Sequence, residues 1–230
     1  MKPFTIALFI LFWIAVGVDC YFIIHDQNNL RYFSKCLLMP LLVAALLFQT
    51  KHSKHQKSKV ILSLSLLFAF LGDLLLLLQN NPNAFIFGIF CFLIAHLIYI
   101  VFFYRLVPFS SAKPLFIFIA ALLISGYLVY FLSKIWLGIS KDDLAMPVVL
   151  YAGGISVMLL SAINTINGGR LKKIGYRHFI PGAVLFIASD SILALDKYNA
   201  PIANAEIWVI VTYAAAQFLI TTGGIRIIRK

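Results

Sequence analysis

"LFAFLGDLLLLLQ" (residues 67–79) reads as part of a membrane span, yet it carries one carboxylate, Asp73. "AVLFIASDSILAL" (residues 183–195) repeats the arrangement around Asp190. An ionised aspartate at the centre of a spanning helix costs about 2.5–3.5 kcal/mol, so two such placements require a reason. The sequence around them is just as apolar. Of the 230 residues, 62% are hydrophobic and 12% charged, and the mean hydropathy is +0.97. A soluble chain carries about 25% charged residues, so a soluble domain is excluded. A spanning helix needs about 20 apolar residues. Hydropathy windows give eight such segments, roughly 3–24, 33–50, 60–79, 84–104, 114–134, 144–166, 179–196 and 202–225. The expected fold is therefore all-α, a polytopic bundle of eight transmembrane helices forming one domain over residues 1–230. The short alternating segments of a β-barrel are absent from the sequence.

The connectors supply the punctuation. "QNNPNA" (79–84) is a polar turn, "KHSKHQKSK" (51–59) a basic loop and "NGGRLKKIGYRH" (167–178) a Gly-rich basic loop. The first segment, "MKPFTIALFILFWIAVGVDC", lacks an A-x-A-like cleavage site and stays apolar to Ile24, which predicts a retained first helix. Cys20, Cys36 and Cys91 fall in apolar segments with no C-x-x-C pair, so they read as small buried residues rather than a disulfide framework or zinc site.

The formal net charge of +11 is a topology signal before it is a nucleic-acid signal. Threading eight spans puts 14 of the 19 Lys and Arg on one face, with Arg31, Lys35, Lys134, Lys141 and Lys197 on the other. The positive-inside rule then places both termini in the cytoplasm, in the cytoplasmic membrane if the chain is bacterial. Anionic membrane lipids are the expected partner of the basic loops, and no nucleic acid is expected. None of the eight acidic residues lies in a loop on the basic face.

Spans three and seven run in the same direction. At 1.5 Å per residue, Asp73 lies about 20 Å along its helix and Asp190 about 17 Å along its own. In a core of about 30 Å both fall just beyond the midplane, in the outer half. Depth is readable in this way; rotation about the helix axis is not. Asp19, Lys35 and Glu206 fall in the same half, and His96, Tyr99, Tyr213 and Gln217 lie near or below the midplane. Intramembrane carboxylates are functional by default. The rest have plainer readings: Asp19 solvated at an interface, Lys35 snorkelling or pairing with a lipid phosphate, Glu206 capping a helix, and His96 a hydrogen-bonded core residue. Gly72 and Ser189, each preceding its aspartate, would admit a neighbouring helix or a lipid. The "GD" and "SD" helices open comparable positions in the two four-span halves, a hint of a 4+4 parallel internal repeat. No metal site is expected, since there is no H-E-x-x-H and no cluster of histidine ligands, and there is no G-x-S-x-G elbow. Among chemistries, the aspartate pair is the best candidate.

At these residues the sequence resembles the YhhN-type family of integral membrane proteins, the lysoplasmalogenases. The resemblance is carried, in order, by "KCLLMPLL" from Lys35, "LGDLLLLL" from Leu71, "FGIFCFLIAHLIYIVFF" from Phe87, "PGAVLFIASDSILAL" from Pro181 and "TYAAAQFLITTGG" from Thr212. Cys36 stands where the family more usually has proline. The resemblance implies eight spans and hydrolysis of the vinyl ether bond of a lysophospholipid, a lysoplasmalogen, to a fatty aldehyde and glycerophosphoethanolamine or glycerophosphocholine. It implies Asp73 and Asp190 as the catalytic pair, and His96, Tyr99, Tyr213 and Gln217 match its supporting polar positions; Lys35, by its depth, is a further candidate for binding the lipid, and no cofactor is expected. Such a bond is opened by acid, which needs one proton donor, one stabilising anion and a water; two carboxylates in a dry site meet that need. Rival readings are a proton-coupled transporter using the aspartates as a relay, which calls for Gly/Pro-broken helices at matching places, a hydrolase of another lipid bond, and a scaffold.

Overall fold

The computed structural model describes residues 2–78 and 82–229. Within them the regular structure is helical. The eight long helices are α1 (Pro3–Ile24), α2 (Asn28–Gln49), α3 (Gln56–Leu77), α4 (Pro82–Leu106), α5 (Pro114–Lys141), α6 (Ala145–Asn164), α7 (Lys172–Tyr198) and α8 (Ala205–Ile228). All eight are long and apolar enough to cross a membrane. The chain is a multi-pass integral membrane protein. The even number of spans returns both termini to one end of the bundle, where the Lys2 backbone N–H donates to Gln49 Oε1 at 3.2 Å. This is called the terminus end below, and the opposite end the distal end.

Several boundaries differ from the hydropathy reading, for identifiable reasons. α7 begins at Lys172, inside the segment expected to be a basic loop. Lys and Arg do not forbid helix; they only mark where the helix leaves the hydrocarbon. A π-turn at Gly175–Phe179 precedes Pro181. Pro181 cannot donate to the carbonyl four residues back, and a widened turn takes up that mismatch. α5 likewise continues through charged Lys134 to Lys141, and α3 begins at Gln56 within the expected 51–59 loop. α2 runs on through Pro40. The expected turn at 79–84 lies outside the described residues at positions 79–81.

Distal-end turns explain part of the acidic bias. Asp26, Asp143 and Asn204 have φ of 53°, 55° and 56°. Asp and Asn are the non-glycine residues that enter this left-handed region most readily, so these side chains are turn formers.

α8 is the central post, packed against α1, α2, α3 and α7. Its small residues Ala214, Ala216, Gly223 and Gly224 are buried at these contacts. α3 pairs with α4, α1 with α2, and α6 lies against α4. α5 stands outermost, touching α6 and α7 and turning Leu115, Phe118, Leu122 and Leu123 outward. At the terminus end the core is closed by fully buried Phe102, Phe103 and Phe179, whose rings lie 5.0–6.0 Å apart.

Gly138 fixes where α5 meets α7, because an added Cβ would overlap the Tyr198 carbonyl oxygen and Cα. Gly126, on the same helix, has nothing within 4 Å of that position. Gly138→Ala is expected to cost about 1–3 kcal/mol through overpacking, whereas Gly126→Ala leaves stability unchanged or raised. Thermal unfolding of the two variants in detergent checks the contrast.

Candidate active site

The two aspartates reach the same space. α3 and α7 carry Asp73 and Asp190 to the lining of a cavity of about 630 Å3 that runs to the distal end of the bundle. That volume falls within the roughly 300–1,000 Å3 of small-molecule sites. Phe85, Ile89 and Phe92 of α4 and Leu128 and Phe131 of α5 give it an apolar wall. Gly72 makes room for this, since a Cβ there would meet the Phe92 ring at 2.6–3.0 Å. Ser189 plays a different part, donating to the Val209 carbonyl at 3.0 Å and so tying α7 to α8.

Asp73 is buried and compensated. Lys35 Nζ, from α2, lies 3.7 Å from Oδ1, and the Tyr213 hydroxyl, from α8, donates to Oδ2 at 2.7 Å. An ion pair near 4 Å at an effective dielectric of 20 gives about 4 kcal/mol, and a hydrogen bond to a charged group about 1.5–3 kcal/mol. The lysine and the phenol offset part of the cost of burying the Asp73 carboxyl group.

Asp190 has different company. Its Oδ2 accepts from the Tyr151 hydroxyl of α6 at 2.5 Å, and the His96 Nε2 of α4 lies 3.0 Å behind that hydroxyl and 4.0 Å from the carboxylate. With the Tyr151 proton given to Asp190, His96 Nε2 meets the phenol oxygen as a donor. No lysine or arginine forms an ion pair with Asp190 among the described residues. The Asp190 side chain keeps 23% of its surface accessible, against 3% for Asp73, so it is the carboxyl group presented to the cavity. Among the described residues no hydrogen bond joins the two aspartates directly.

Lys35, Asp73, Tyr213 and Asp190 are therefore brought together around the cavity, and His96 joins through Tyr151. Tyr99 and Gln217 are fully buried behind it, with the Tyr99 hydroxyl donating to Gln217 Oε1 at 2.5 Å. Lys35 meets a carboxylate of the protein itself. Asp19 is not solvated: it is fully buried, receives the Ser34 hydroxyl at 2.6 Å and pairs with Arg31 at 3.7 Å. Glu206 lies in the first turn of α8, where a carboxylate suits the helix start, and pairs with Arg31 as well. No three His, Cys, Asp or Glu side chains cluster as a metal set among the described residues.

The model of the YhhN family matches residues 30–224, from the start of α2 to near the end of α8. This chain belongs to the YhhN family. Curated relatives include proteins named lysoplasmalogenase from Mycobacterium bovis and Mycobacterium tuberculosis, each 33% identical over 69% of this chain and 58% of the relative. The lysoplasmalogenase TMEM86B of Homo sapiens is 32% identical over 63% of this chain and 56% of its own length. The chain thus spans a little over half the length of the curated relatives it matches. No solved structure matches it.

Within this YhhN chain, sequence reasoning missed Tyr151 and placed Arg31 on the surface. Tyr151 is one of ten tyrosines and stands in an uncharged segment, "VVLYAGG", so nothing in its context sets it apart. Arg31 could have been found from its spacing: it lies four residues before Lys35, on the same face of a helix. The compensation at Asp73 has a direct check. Lys35→Met leaves a buried carboxylate unpaired and should lower stability by about 3 kcal/mol, and adding Asp73→Asn should recover most of that loss. A double-mutant cycle of unfolding in detergent measures the coupling.

Proposed function

We propose that this protein is a membrane-embedded hydrolase that cleaves the sn-1 vinyl ether of lysoplasmalogens by acid catalysis. The observation that carries the reading is the asymmetry of two carboxyl groups on one cavity: Asp73 is held by a lysine and a phenol, while Asp190 has a phenol backed by an imidazole and, among the described residues, no lysine or arginine. The names of the YhhN relatives support the substrate class. A vinyl ether resists nucleophiles and yields to acid, so the essential group is a carboxylic acid beside a fixed anion.

Asp190 is the proton donor in this reading and Asp73 the anion. The Asp190 carboxyl protonates the β-carbon of the vinyl ether, and the carbon bonded to oxygen becomes an oxocarbenium ion stabilised by ionised Asp73. Water adds to that carbon and returns a proton to Asp190, giving a hemiacetal. Collapse of the hemiacetal moves its hydroxyl proton to the departing glycerol oxygen. One water is consumed, and a fatty aldehyde and a glycerophosphoethanolamine or glycerophosphocholine leave. Tyr151 and His96 hold the acid in place, and Tyr213 with Lys35 holds the anion.

The distal end faces outward in this proposal, because the basic loops gather at the terminus end. A single acyl chain then lies against the α4 and α5 wall while its headgroup stays at the interface. The vinyl ether, at the head of that chain, comes level with the two carboxyl groups.

Aldehyde release from a defined lysoplasmalogen by the purified protein tests the reading. Asp190→Asn and Asp73→Asn should each lower kcat by about 100-fold or more, the range expected for loss of a proton donor or a charge stabiliser. Full activity in either variant would overturn the mechanism. Tyr151→Phe should lower kcat by less and leave KM near the wild-type value, because it loosens the acid without touching the lipid. Solute flux in proteoliposomes, with lipid recovered intact, would instead identify a transporter.

A further inference from the structure

The mouth of the cavity carries an ion pair that the proposed chemistry does not use. Arg31, in the first turn of α2, pairs with Glu206, in the first turn of α8, and both line the cavity. Arg31 also reaches Asp19, 3.7 Å away, and Asp19 is itself fixed by the Ser34 hydroxyl at 2.6 Å. The two carboxylates on Arg31 differ sharply in setting. The Asp19 side chain is fully buried, whereas 52% of the Glu206 side chain is accessible. Asp19 is therefore the anchor that keeps the guanidinium in place. Glu206 is the exchangeable partner, since its own carboxylate can be rehydrated on release, whereas the guanidinium, 7% accessible, keeps a counter-charge in Asp19.

We infer that the Arg31–Glu206 pair is the headgroup subsite and selects zwitterionic lysolipids: the phosphodiester displaces Glu206 from Arg31, and Glu206 takes the ammonium. This rests on the hydrolase reading for the identity of the lipid. The exchange breaks one ion pair and forms two of the same kind, so neither protein charge is left uncompensated in the mouth. An arginine fork also suits phosphate oxygens in a way that a lysine does not. Position agrees with chemistry. Arg31 lies one turn before Lys35, on the same face of α2 and about 6 Å nearer the distal end. A phosphate on Arg31 therefore leaves a glycerol unit to span the step down to the Asp73 level, where the vinyl ether must lie. A lipid with phosphate and no ammonium gains Arg31 but faces Glu206 as a like charge, which disfavours it.

The test uses the purified full chain in detergent and three lysolipids with one saturated ether chain, which lacks the cleavable double bond. Their headgroups are phosphocholine, phosphoethanolamine and a phosphate monoester. Wild type should bind the first two about three- to tenfold tighter than the monoester. Glu206→Gln should bring all three within about twofold, and Glu206→Lys should reverse the order. Both changes are at a half-exposed side chain and spare the Asp19–Arg31 anchor. The assignment is overturned if Glu206→Gln keeps the wild-type ratio, if wild type shows no preference, or if wild type binds none of the three. Preference lost in Glu206→Gln, in a protein that releases no aldehyde from any lysoplasmalogen, sinks the hydrolase and leaves the headgroup subsite standing. Aldehyde release with an unaltered ratio does the opposite.

Discussion

Lys35 and Asp73 bring opposite charges within 3.7 Å in the protein interior, where little of either side chain is accessible. The pair joins α2 to α3, and the Tyr213 hydroxyl adds α8 to the same carboxylate. Three of the eight helices are thereby set in rotation as well as in depth, because a slip of one residue on any of them would turn a charged or polar group toward lipid. In a bundle where helix association has no hydrophobic drive, such an interaction supplies specificity of packing as much as stability. α8, at the centre, transmits it: the helix that hydrogen-bonds Asp73 also packs on α1, α2 and α7.

In the proposed mechanism an anionic Asp73 changes what Asp190 can be. Two charges of one sign on a single cavity disfavour each other, and the first already has its cation. The phenol–imidazole arrangement on Asp190 supplies hydrogen bonds without a lysine or arginine, which suits a neutral acid. The proposed division of labour thus rests on neighbours, not on the aspartates themselves. The same logic governs the cavity mouth, where buried Asp19 holds Arg31 and exposed Glu206 shares it.

Depth was legible in the sequence because residues per ångström of helix is a constant; facing was not. Counting along two parallel spans put Asp73 and Asp190 at one level, and the structure places both on one cavity. The eight spans were legible for the same reason, their lengths being set by the bilayer. Rotation depends on which helices are neighbours, and that is decided by tertiary packing such as Gly72 against Phe92 or Gly138 against Tyr198. Hence Tyr151 was invisible: an uncharged tyrosine in an apolar helix becomes significant only once α6 is known to lie beside α7. Asp19 was misread for a related reason. Its depth near an interface suggested water, but Arg31 and Ser34 close over it, and a partner on another helix has no signature in the local sequence.

The two ends of the bundle have opposite construction, and the proposed chemistry accounts for it. Below the aspartates, Tyr99 and Gln217 are sealed against each other and Phe102, Phe103 and Phe179 fill the terminus end. Above them the cavity opens between Tyr213 and the charged mouth. A cation formed on substrate in a low-dielectric site must meet one positioned water before it meets bulk solvent, so the floor has to be dry. In the proposed reaction the leaving glycerophospho group is charged and the departing aldehyde apolar, so products require both a polar exit and an apolar wall. An aromatic floor, a carboxyl pair at mid-depth and an ionic rim satisfy these demands in order along one cavity. On the proposed mechanism, the burial that makes Asp73 and Asp190 costly is the condition under which a carboxylic acid and its counter-anion act on a lipid.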